Sequence, residues 1–236
     1  TYKCSRRCNT FIKMKKEIII CLPSKGRLNS SALNIFKKKK LKIVSAKGER
    51  DLIGYVKNKK FNLKILFVHA RECIDALANS TADVAISGKD LLFNSNSNIQ
   101  KKIKIYKDLD FGHASLKIFK SIYWIDCASL LDVSEIAKNK PLKIITKYRL
   151  LVENFLSKKN VRNVEVLDSE GATEIALRIN QASLVADISS SGKTAAANDL
   201  VEVSGGLILK SSAACMVAKK SLKKKEVKDL IKLLSN

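Results

Sequence analysis

A run of small polar residues late in the chain has the composition of an anion-binding turn. The stretch from Leu184 to Asn198 reads LVADISSSGKTAAAN, which predicts a strand, a polar turn and the start of a helix. Backbone N–H groups of such a turn point into one concavity, and the helix dipole adds to the attraction, so a phosphate monoester fits there. The residues expected to line it are Ser189, Ser190, Ser191, Gly192, Lys193 and Thr194.

Asp187 stands at the end of the predicted strand, directly before this turn. Its carboxylate is placed to accept hydrogen bonds from sugar hydroxyls beside a bound phosphate. Taken by itself, the segment also fits an ordinary serine-rich turn.

A second turn of similar character lies near the amino terminus. The apolar strand EIIICL (17–22) is followed by PSKGR (23–27), and Leu28, Ala32 and Phe36 then recur at helical spacing. Lys25 and Arg27 suit phosphate oxygens, and an arginine can bind two of them at once. An exposed basic turn without function is the alternative.

The segments that must position these turns alternate between strand and helix. The predicted strands are 64–68, 83–87, 103–109, 114–119, 142–146, 163–167, 207–209 and 213–218, and the predicted helices are 71–79, 148–159, 173–179 and a closing helix around 227–234. Residues 94–102 are predicted to be a surface loop. Alternation of this kind favours an α/β fold with parallel pairing, a second α/β lobe in the second half, and ligands at the carboxyl ends of strands.

Composition narrows the class of protein. The chain has 236 residues, of which 46% are hydrophobic, and no apolar run approaches the roughly 20 residues that span a bilayer. We therefore expect no membrane segment and a cytoplasmic location. The six cysteines form no CxxC pair, so we expect reduced thiols and no metal site. Residues 1–13 lack periodicity and are predicted to be a disordered leader.

The formal net charge of +23 raises the alternative of nucleic-acid binding. The lysines, however, are spread along predicted helix surfaces such as 37–40 and 219–228, and only 6% of the residues are aromatic. We therefore favour a solvated lysine surface, which would still attract polyanionic small substrates, and expect no nucleic-acid partner.

Six stretches, in order, resemble the ATP phosphoribosyltransferase family. They are LPSKGRL (22–28), ADVAISGKD (82–90), DLDFGHA (108–114), ITKY (145–148), GATE (171–174) and DISSSGKTAAAN (187–198). The resemblance extends from Lys15 to Ala218. It implies transfer of the phosphoribosyl group of phosphoribosyl pyrophosphate to N1 of the adenine ring of ATP, with Mg²⁺ accompanying the substrates and no dedicated metal site on the protein. This is the first step of histidine biosynthesis.

The resemblance also implies a fold and an assembly. We expect a two-lobed α/β fold like that of type II periplasmic binding proteins, with mixed, mostly parallel sheets and an active-site cleft between the lobes. The first lobe would comprise 14–107 and 206–236, and the second, with the phosphate turn, 108–205. The chain is similar to the short form of the family, which implies a homodimer within a hetero-oligomer that includes a regulatory subunit resembling histidyl-tRNA synthetase.

The family's site residues carry over only where this sequence matches. The turn from Asp187 to Thr194 would bind phosphoribosyl pyrophosphate, with Glu174 just upstream. The residues implied on the nucleotide side are Lys25, Gly26, Arg27, Ser87, Gly88, Lys89 and Asp90. Arg27 would also be catalytic, and Arg50 would steady the departing pyrophosphate.

Three positions depart from the family pattern. Ser183 stands where many relatives have an acid, His69 where many have an arginine, and Asp199 where a glycine is usual. These departures affect individual contacts and leave both anion-binding turns in place. Two alternatives to the enzyme remain, namely a non-catalytic two-lobed module that binds a phosphorylated ligand, and a basic nucleic-acid-binding protein.

Overall fold

The computed structural model describes residues 17–45, 52–57, 60–169, 173 and 175–235. The predicted leader (1–13), Arg50 and Glu174 lie outside the described residues, as does most of the GATE stretch. No helix in the described part of the chain is long and apolar enough to cross a membrane.

Strands and helices alternate along most of the chain. The strands are β1 (Ile18–Pro23), β2 (Val44–Ser45), β3 (Ile53–Lys57), β4 (Asn62–Val68), β5 (Val84–Gly88), β6 (Ile103–Asp108), β7 (Ala114–Ser121), β8 (Leu142–Thr146), β9 (Val164–Asp168), β10 (Leu184–Ser189), β11 (Leu200–Ser211) and β12 (Ala213–Ala218). The helices are α1 (Gly26–Lys38), α2 (Ala70–Ala78), α3 (Lys89–Phe93), α4 (Ser97–Lys102), α5 (Leu130–Asn139), α6 (Arg149–Lys158), α7 (Ile175–Arg178), α8 (Lys193–Ala197), a 3-10 helix (Lys219–Lys223) and α9 (Lys225–Ser235).

The larger sheet has the strand order β2-β3-β4-β1-β5-β12-β6. Its central strand β1 pairs in parallel with β4 and β5, and both faces of the sheet are covered. Ile20 and Leu22 of β1 pack on one face with Phe36 of α1 and Leu230 of α9. Cys21, on the alternate position of β1, packs on the other face, against α2. The continuous apolar run of β1 is therefore explained by burial on both sides.

The smaller sheet has the order β11-β7-β10-β8-β9. Strands β10, β8 and β9 pair in parallel, and β7 pairs antiparallel with β10 and β11. Helices α5 and α6 cover one face, where Val133 and Val152 join the core, and Ala176 and Ala195 lie on the other. This sheet is the core of the second lobe.

The two sheets confirm the mixed, two-lobed α/β fold, but antiparallel pairing takes a larger share than predicted. The chain leaves the larger sheet after Asp108, enters the smaller sheet at Ala114 and returns at Ser212. The returning strand β12 runs antiparallel to both β5 and β6. The predicted return at residue 206 falls inside β11, which pairs with β7 as far as Ser211.

Several elements were absent from the sequence prediction. Strands β2 and β3 form an antiparallel edge of the larger sheet, and α4 occupies most of the predicted loop 94–102. Helix α5 and the first half of β11 were also missed. The elements that carry the two anion-binding turns, by contrast, begin and end within about two residues of the predicted positions.

Candidate active site

The phosphate turn joins β10 to α8. The first half of β10 is buried, and its last three residues reach the partly exposed edge of the sheet. The turn is compact because the Gly192 N–H donates to Ser189 Oγ at 2.9 Å. Gly192 has a φ of 72°, which an L-amino acid side chain disfavours, and its carbonyl accepts from the Ala196 N–H at 3.0 Å. Helix α8 is only five residues long, so its dipole contributes less than the sequence predicted.

Asp187 is held in a fixed orientation at the mouth of this turn. The buried Thr173 donates its hydroxyl to Asp187 Oδ2, and the Ile188 N–H donates to Oδ1 at 2.6 Å. Each carboxylate oxygen can accept more than one hydrogen bond. Asp187 can therefore accept further donors from a ligand without moving.

Arg27 brings the basic turn of the first lobe to the phosphate turn of the second. Its Nη2 donates to Ser190 Oγ at 2.8 Å, although the two residues are 163 positions apart in the chain. Arg27, Asp187 and Thr194 line the same hollow of about 130 Å³ beside Ser189–Ser191. The two turns that the sequence singled out independently thus face each other across one gap.

A larger cleft of about 1020 Å³ adjoins this hollow and is lined by both lobes. Arg27, Asp187, Ser190 and Ser191 border it as well. Its other lining residues come from the ends of strands and the starts of helices: Leu28, Ser31, His69, Ala70, Arg71, Gly88, Asp90, Leu91, Gly112, His113, Ala114, Lys147, Tyr148, Asp168, Ser169 and Ile188. This is the cleft between lobes that the family resemblance implied.

In the predicted nucleotide-binding stretch from Ser87 to Asp90, two residues do not line this cleft. Ser87 is fully buried and donates its hydroxyl to the Ala70 carbonyl at 2.8 Å. Lys89 forms an ion pair with Asp108, with Nζ 2.6 Å from Oδ2. Both side chains therefore have structural partners: Ser87 joins β5 to the start of α2, and Lys89 joins the start of α3 to the end of β6. Gly88 and Asp90, the other two residues of that stretch, do line the cleft.

Lys25 and Gly26 line a shallower side pocket of about 300 Å³ next to His69. Lys193 is exposed and is not among the residues that line the hollow or the cleft. These three residues therefore lie at the rim of the site, and Arg27 is the residue of the basic turn that reaches its centre.

Sequence reasoning missed several residues of the cleft. Arg71 and Lys147 bring exposed cations to it, and Tyr148 brings a buried phenol. Asp168 is the last residue of β9, and Ser169 follows it directly. The position of polar residues directly after a strand could have identified this last pair, since ligands bind at the carboxyl edge of such sheets. Lys147 and Tyr148 are part of the ITKY stretch.

The cleft carries both signs of charge. Asp90, Asp168 and Asp187 bring carboxylates to it, and Arg27, Arg71 and Lys147 bring cations. Within the described residues, no group of three or more His, Cys, Asp and Glu side chains is arranged to hold a metal ion. The geometry suits a ligand with anionic ends and several hydroxyls.

Comparison with known proteins identifies the relatives of this chain. A family model described as ATP phosphoribosyltransferase matches residues 69–236, well over half of the chain. An ATP phosphoribosyltransferase of Brucella suis is 30% identical over 90% of this chain and 95% of its own length. One of Rhodopseudomonas palustris is 32% identical over 85% of this chain, which spans only 63% of that longer relative.

Solved structures share the fold. An ATP phosphoribosyl transferase (HisG:HisZ) complex from Thermotoga maritima aligns with a TM-score of 0.72 at 16% identity, over 92% of this chain and 96% of the other. A probable amino-acid ABC transporter extracellular-binding protein of Bacillus subtilis aligns with a TM-score of 0.55 at 14% identity, over 93% and 91%. Both likenesses support the two-lobed fold of periplasmic binding proteins. Together with the family match, they show that the chain belongs to the ATP phosphoribosyltransferase family.

Proposed function

We propose that this chain catalyses the family's reaction, the transfer of the phosphoribosyl group of phosphoribosyl pyrophosphate to N1 of ATP, in the cleft between its lobes. The observation that carries the proposal is the hydrogen bond between Arg27 and Ser190. It places a fixed cation opposite a turn of main-chain amides and hydroxyls, beside the carboxylate of Asp187. One sugar phosphate with a second anionic end fits such an arrangement.

The phosphate turn is the proposed site of the 5′-phosphate. The first N–H groups of a helix have no acceptor within the helix, so those at the start of α8 are available to phosphate oxygens. The hydroxyls of Ser190, Ser191 and Thr194 add donors, and Lys193 adds charge at the rim. Asp187 would accept the ribose hydroxyls, with Glu174 assigned beside it on the family pattern alone.

The nucleotide and the pyrophosphate would occupy the larger cleft. Arg27 forms its basic wall, with Lys25 and Gly26 in the side pocket at the rim, and Gly88 and Asp90 form the facing wall. Ser87 and Lys89 would act indirectly, by holding Gly88 and Asp90 in place, since their side chains have partners within the protein. Arg50 is proposed to bind the pyrophosphate on the family pattern.

The chemistry requires positioned charge more than proton transfer. Displacement at C1 develops positive charge on the ribose and negative charge on the leaving pyrophosphate, so fixed cations and hydrogen-bond donors favour the transition state. Arg27 is placed to stabilise the pyrophosphate side. N1 of adenine is already a nucleophile, and no proton has to be removed before it attacks.

Mg²⁺ is proposed to enter with the substrates. Hard oxygen ligands suit Mg²⁺, and the pyrophosphate oxygens supply them, whereas the described residues contain no group of three or more His, Cys, Asp and Glu side chains arranged to hold a metal ion. When bound, the ion would neutralise part of the charge of the leaving group. Asp90 and Asp187 border the space that such a complex would occupy.

The proposed assembly follows the Thermotoga maritima complex of HisG with HisZ. We propose that this chain likewise acts as a homodimer within a hetero-oligomer that contains a regulatory subunit resembling histidyl-tRNA synthetase. A cytoplasmic location is proposed because the reaction consumes ATP, and because Cys21, Cys73 and Cys127 are buried cysteines outside any disulfide.

Replacement of Arg27 tests this function. The purified chain, with the regulatory subunit added, should convert ATP and phosphoribosyl pyrophosphate to phosphoribosyl-ATP in the presence of Mg²⁺. The absorbance of phosphoribosyl-ATP measures the rate. Arg27→Ala should lower kcat/KM roughly 100-fold, about 2.7 kcal/mol, as expected when one preorganised donor to the transition state is lost. Thermal stability should hardly change, because Arg27 is exposed and bonds an exposed hydroxyl.

Lys38→Ala provides the control, since Lys38 is an exposed cation at the other end of the same helix. It should leave kcat/KM within a factor of two. Normal turnover by Arg27→Ala would show that the basic turn is not part of the active site, and absence of product with the wild-type complex would reject the activity.

A further inference from the structure

Helix α3 lies next to the segments where the chain crosses between the lobes. Its buried Asp90 is bonded to Ser211, the last residue of β11 before the return to the larger sheet. The Ser211 hydroxyl donates to Asp90 Oδ1 at 2.7 Å, and the Asp90 N–H donates to Ser211 Oγ at 3.0 Å. The Lys89 N–H also donates to the Ser212 carbonyl, at 3.1 Å. The start of α3 is thereby fastened to the returning crossover.

The second carboxylate oxygen of Asp90 reaches the other lobe. Tyr148, between β8 and α6, donates its hydroxyl to Asp90 Oδ2 at 3.1 Å. Tyr148 is 8% exposed, and its N–H donates to Thr146 Oγ1 at 2.9 Å, which fixes the backbone that carries the ring. Burial, and then the charge of Asp90, raises the pKa of Tyr148 far above its usual range. The phenol therefore stays protonated and acts as a permanent donor.

Asn94 makes a second contact of the same kind. It follows α3 four residues after Asp90, so both side chains project from the same face of the helix. Asn94 Nδ2 donates to the Lys147 carbonyl at 3.1 Å, and its Oδ1 accepts from the Leu151 N–H in the first turn of α6 at 3.4 Å. Two polar residues of one lobe thus hold the loop before α6 in the other.

We propose that these contacts form a clasp, made of Asp90 and Asn94 on one lobe and Tyr148 on the other, that sets the spacing of the cleft walls. Asp90 and Tyr148 are then positioning residues, because they are bonded to each other across the lobes and act on the ligand through the spacing of the cleft walls. The proposal rests on the function proposed above and assigns Asp90 a role that the family pattern did not give it.

The consequence for binding follows from the location of the clasp. It lies beside the crossovers, while Arg27 and the phosphate turn meet through a single exposed hydrogen bond. An exposed contact of this kind contributes little, whereas a buried hydrogen bond to a charged group contributes more. The clasp therefore keeps the lobes close enough for Arg27 and Asp187 to share one ligand before that ligand arrives. Without the clasp, part of the free energy of substrate binding is used to bring the two lobes together, and the apparent affinity falls.

Tyr148→Phe removes the donor and keeps the ring. In the full assembly, we expect the KM for phosphoribosyl pyrophosphate to rise about ten-fold with kcat changed less than two-fold, as the closed fraction falls. The dissociation constant for phosphoribosyl pyrophosphate, measured by calorimetry on the chain, should rise by the same factor. Small-angle scattering of the ligand-free chain should show a larger radius of gyration. Tyr123 is an exposed tyrosine in the same lobe, so Tyr123→Phe should match the wild type in KM, dissociation constant and radius of gyration.

The outcomes separate a clasp from simple structural support. A lower melting temperature with unchanged KM, dissociation constant and radius would overturn the proposal. If Tyr148→Phe does not fold, Asn94→Ala must produce the same increase in dissociation constant and radius, and failure to do so would also overturn it. Calorimetry and scattering need no turnover, so the clasp can be judged even if the proposed reaction fails.

Discussion

At the scale of single residues, the types of side chain predicted the chemistry better than they predicted the contacts. Arg27, Asp187 and Ser190 meet as the two turns implied. Ser87 and Lys89 match the same family stretches, but their side chains are engaged inside the protein. A sequence shows that a serine can donate a hydrogen bond, but it does not show which acceptor lies nearest after folding.

Backbone conformation explains the glycine at position 192. A Cβ atom at Gly192 would meet no other protein atom within 4 Å, so lack of space does not explain the glycine. Its φ of 72° is the true constraint. A β-branched residue in that conformation costs roughly 1–2 kcal/mol or more, while asparagine tolerates it.

We therefore predict that Gly192→Val raises the dissociation constant for phosphoribosyl pyrophosphate more than ten-fold, by forcing the turn out of shape. Gly192→Asn should change it less than about three-fold, since Asn adopts this backbone conformation readily. Calorimetric titration of each variant measures both values. Equal weakening by Asn and Val would point to a clash with the ligand instead, and unchanged affinity in Val would refute the phosphate-binding role of the turn.

At the scale of elements, strands and helices with a regular hydrophobic period were predictable. Elements that are marked only by a local signal, such as a helix cap, were missed. Helix α5 begins with a capping box in which the Ser129 N–H donates to Asp132 at 2.7 Å, so the serine and aspartate three residues apart were a usable signal. Strand β11 was recognised only in part, because Ser204, Gly205 and Gly206 interrupt its apolar pattern and its register shifts there. Strands β2 and β3, at one edge of the larger sheet, lie on either side of residues 46–51, which are outside the described part of the chain.

Asp83, directly before β5, joins β1 to the 3-10 helix and to the residue that follows it. Its carboxylate accepts from the Ile19 N–H of β1 at 3.0 Å, the Ser221 hydroxyl at 2.6 Å and Lys224 Nζ at 2.7 Å, where the 3-10 helix leads into α9. Burial alone would raise its pKa, but the hydrogen bonds and the charge of Lys224 outweigh that effect and lower the pKa below the ordinary value of 3.8. The network stabilises the fold while Asp83 is ionised.

Asp83→Asn should lower the free energy of unfolding at pH 7 by roughly 2 kcal/mol, because a buried charged acceptor of three donors is lost. A depressed folded-state pKa gives stability that is complete above the unfolded pKa of about 3.9 and is lost as pH falls through the folded value. The difference between variant and wild type should therefore shrink below pH 4. Urea denaturation at pH 7, 5 and 3.5 measures it.

Asp229→Asn is the control, since Asp229 is an exposed carboxylate on α9. Its unfolding free energy should follow the wild-type pH dependence. A difference between Asp83→Asn and wild type that stays constant down to pH 3.5 would contradict the role assigned to the ionised carboxylate.

At the scale of the whole molecule, the resemblance to the family predicted the two-lobed fold. It did not predict how the strands of the two lobes are arranged. Alternation of strands and helices predicted parallel sheets, but the strands that follow each crossover run antiparallel, which local pattern does not encode. Arg71, Lys147 and Tyr148 reach the cleft only because the lobes meet. The net charge of +23 now accords with a field that attracts ATP and phosphoribosyl pyrophosphate to that cleft.

The proposed activity requires one arrangement at the site. The main-chain amides of the phosphate turn bind a sugar phosphate, and Arg27 faces the other end of that ligand. Crystals of the chain soaked with phosphoribosyl pyrophosphate and Mg²⁺ test it most directly. We predict electron density for the 5′-phosphate within hydrogen-bond distance of the backbone N–H groups around Gly192, ribose hydroxyls on Asp187, and the pyrophosphate beside Arg27. Density for the ligand elsewhere, with the turn from Ser189 to Thr194 making no contact to it, would contradict the account.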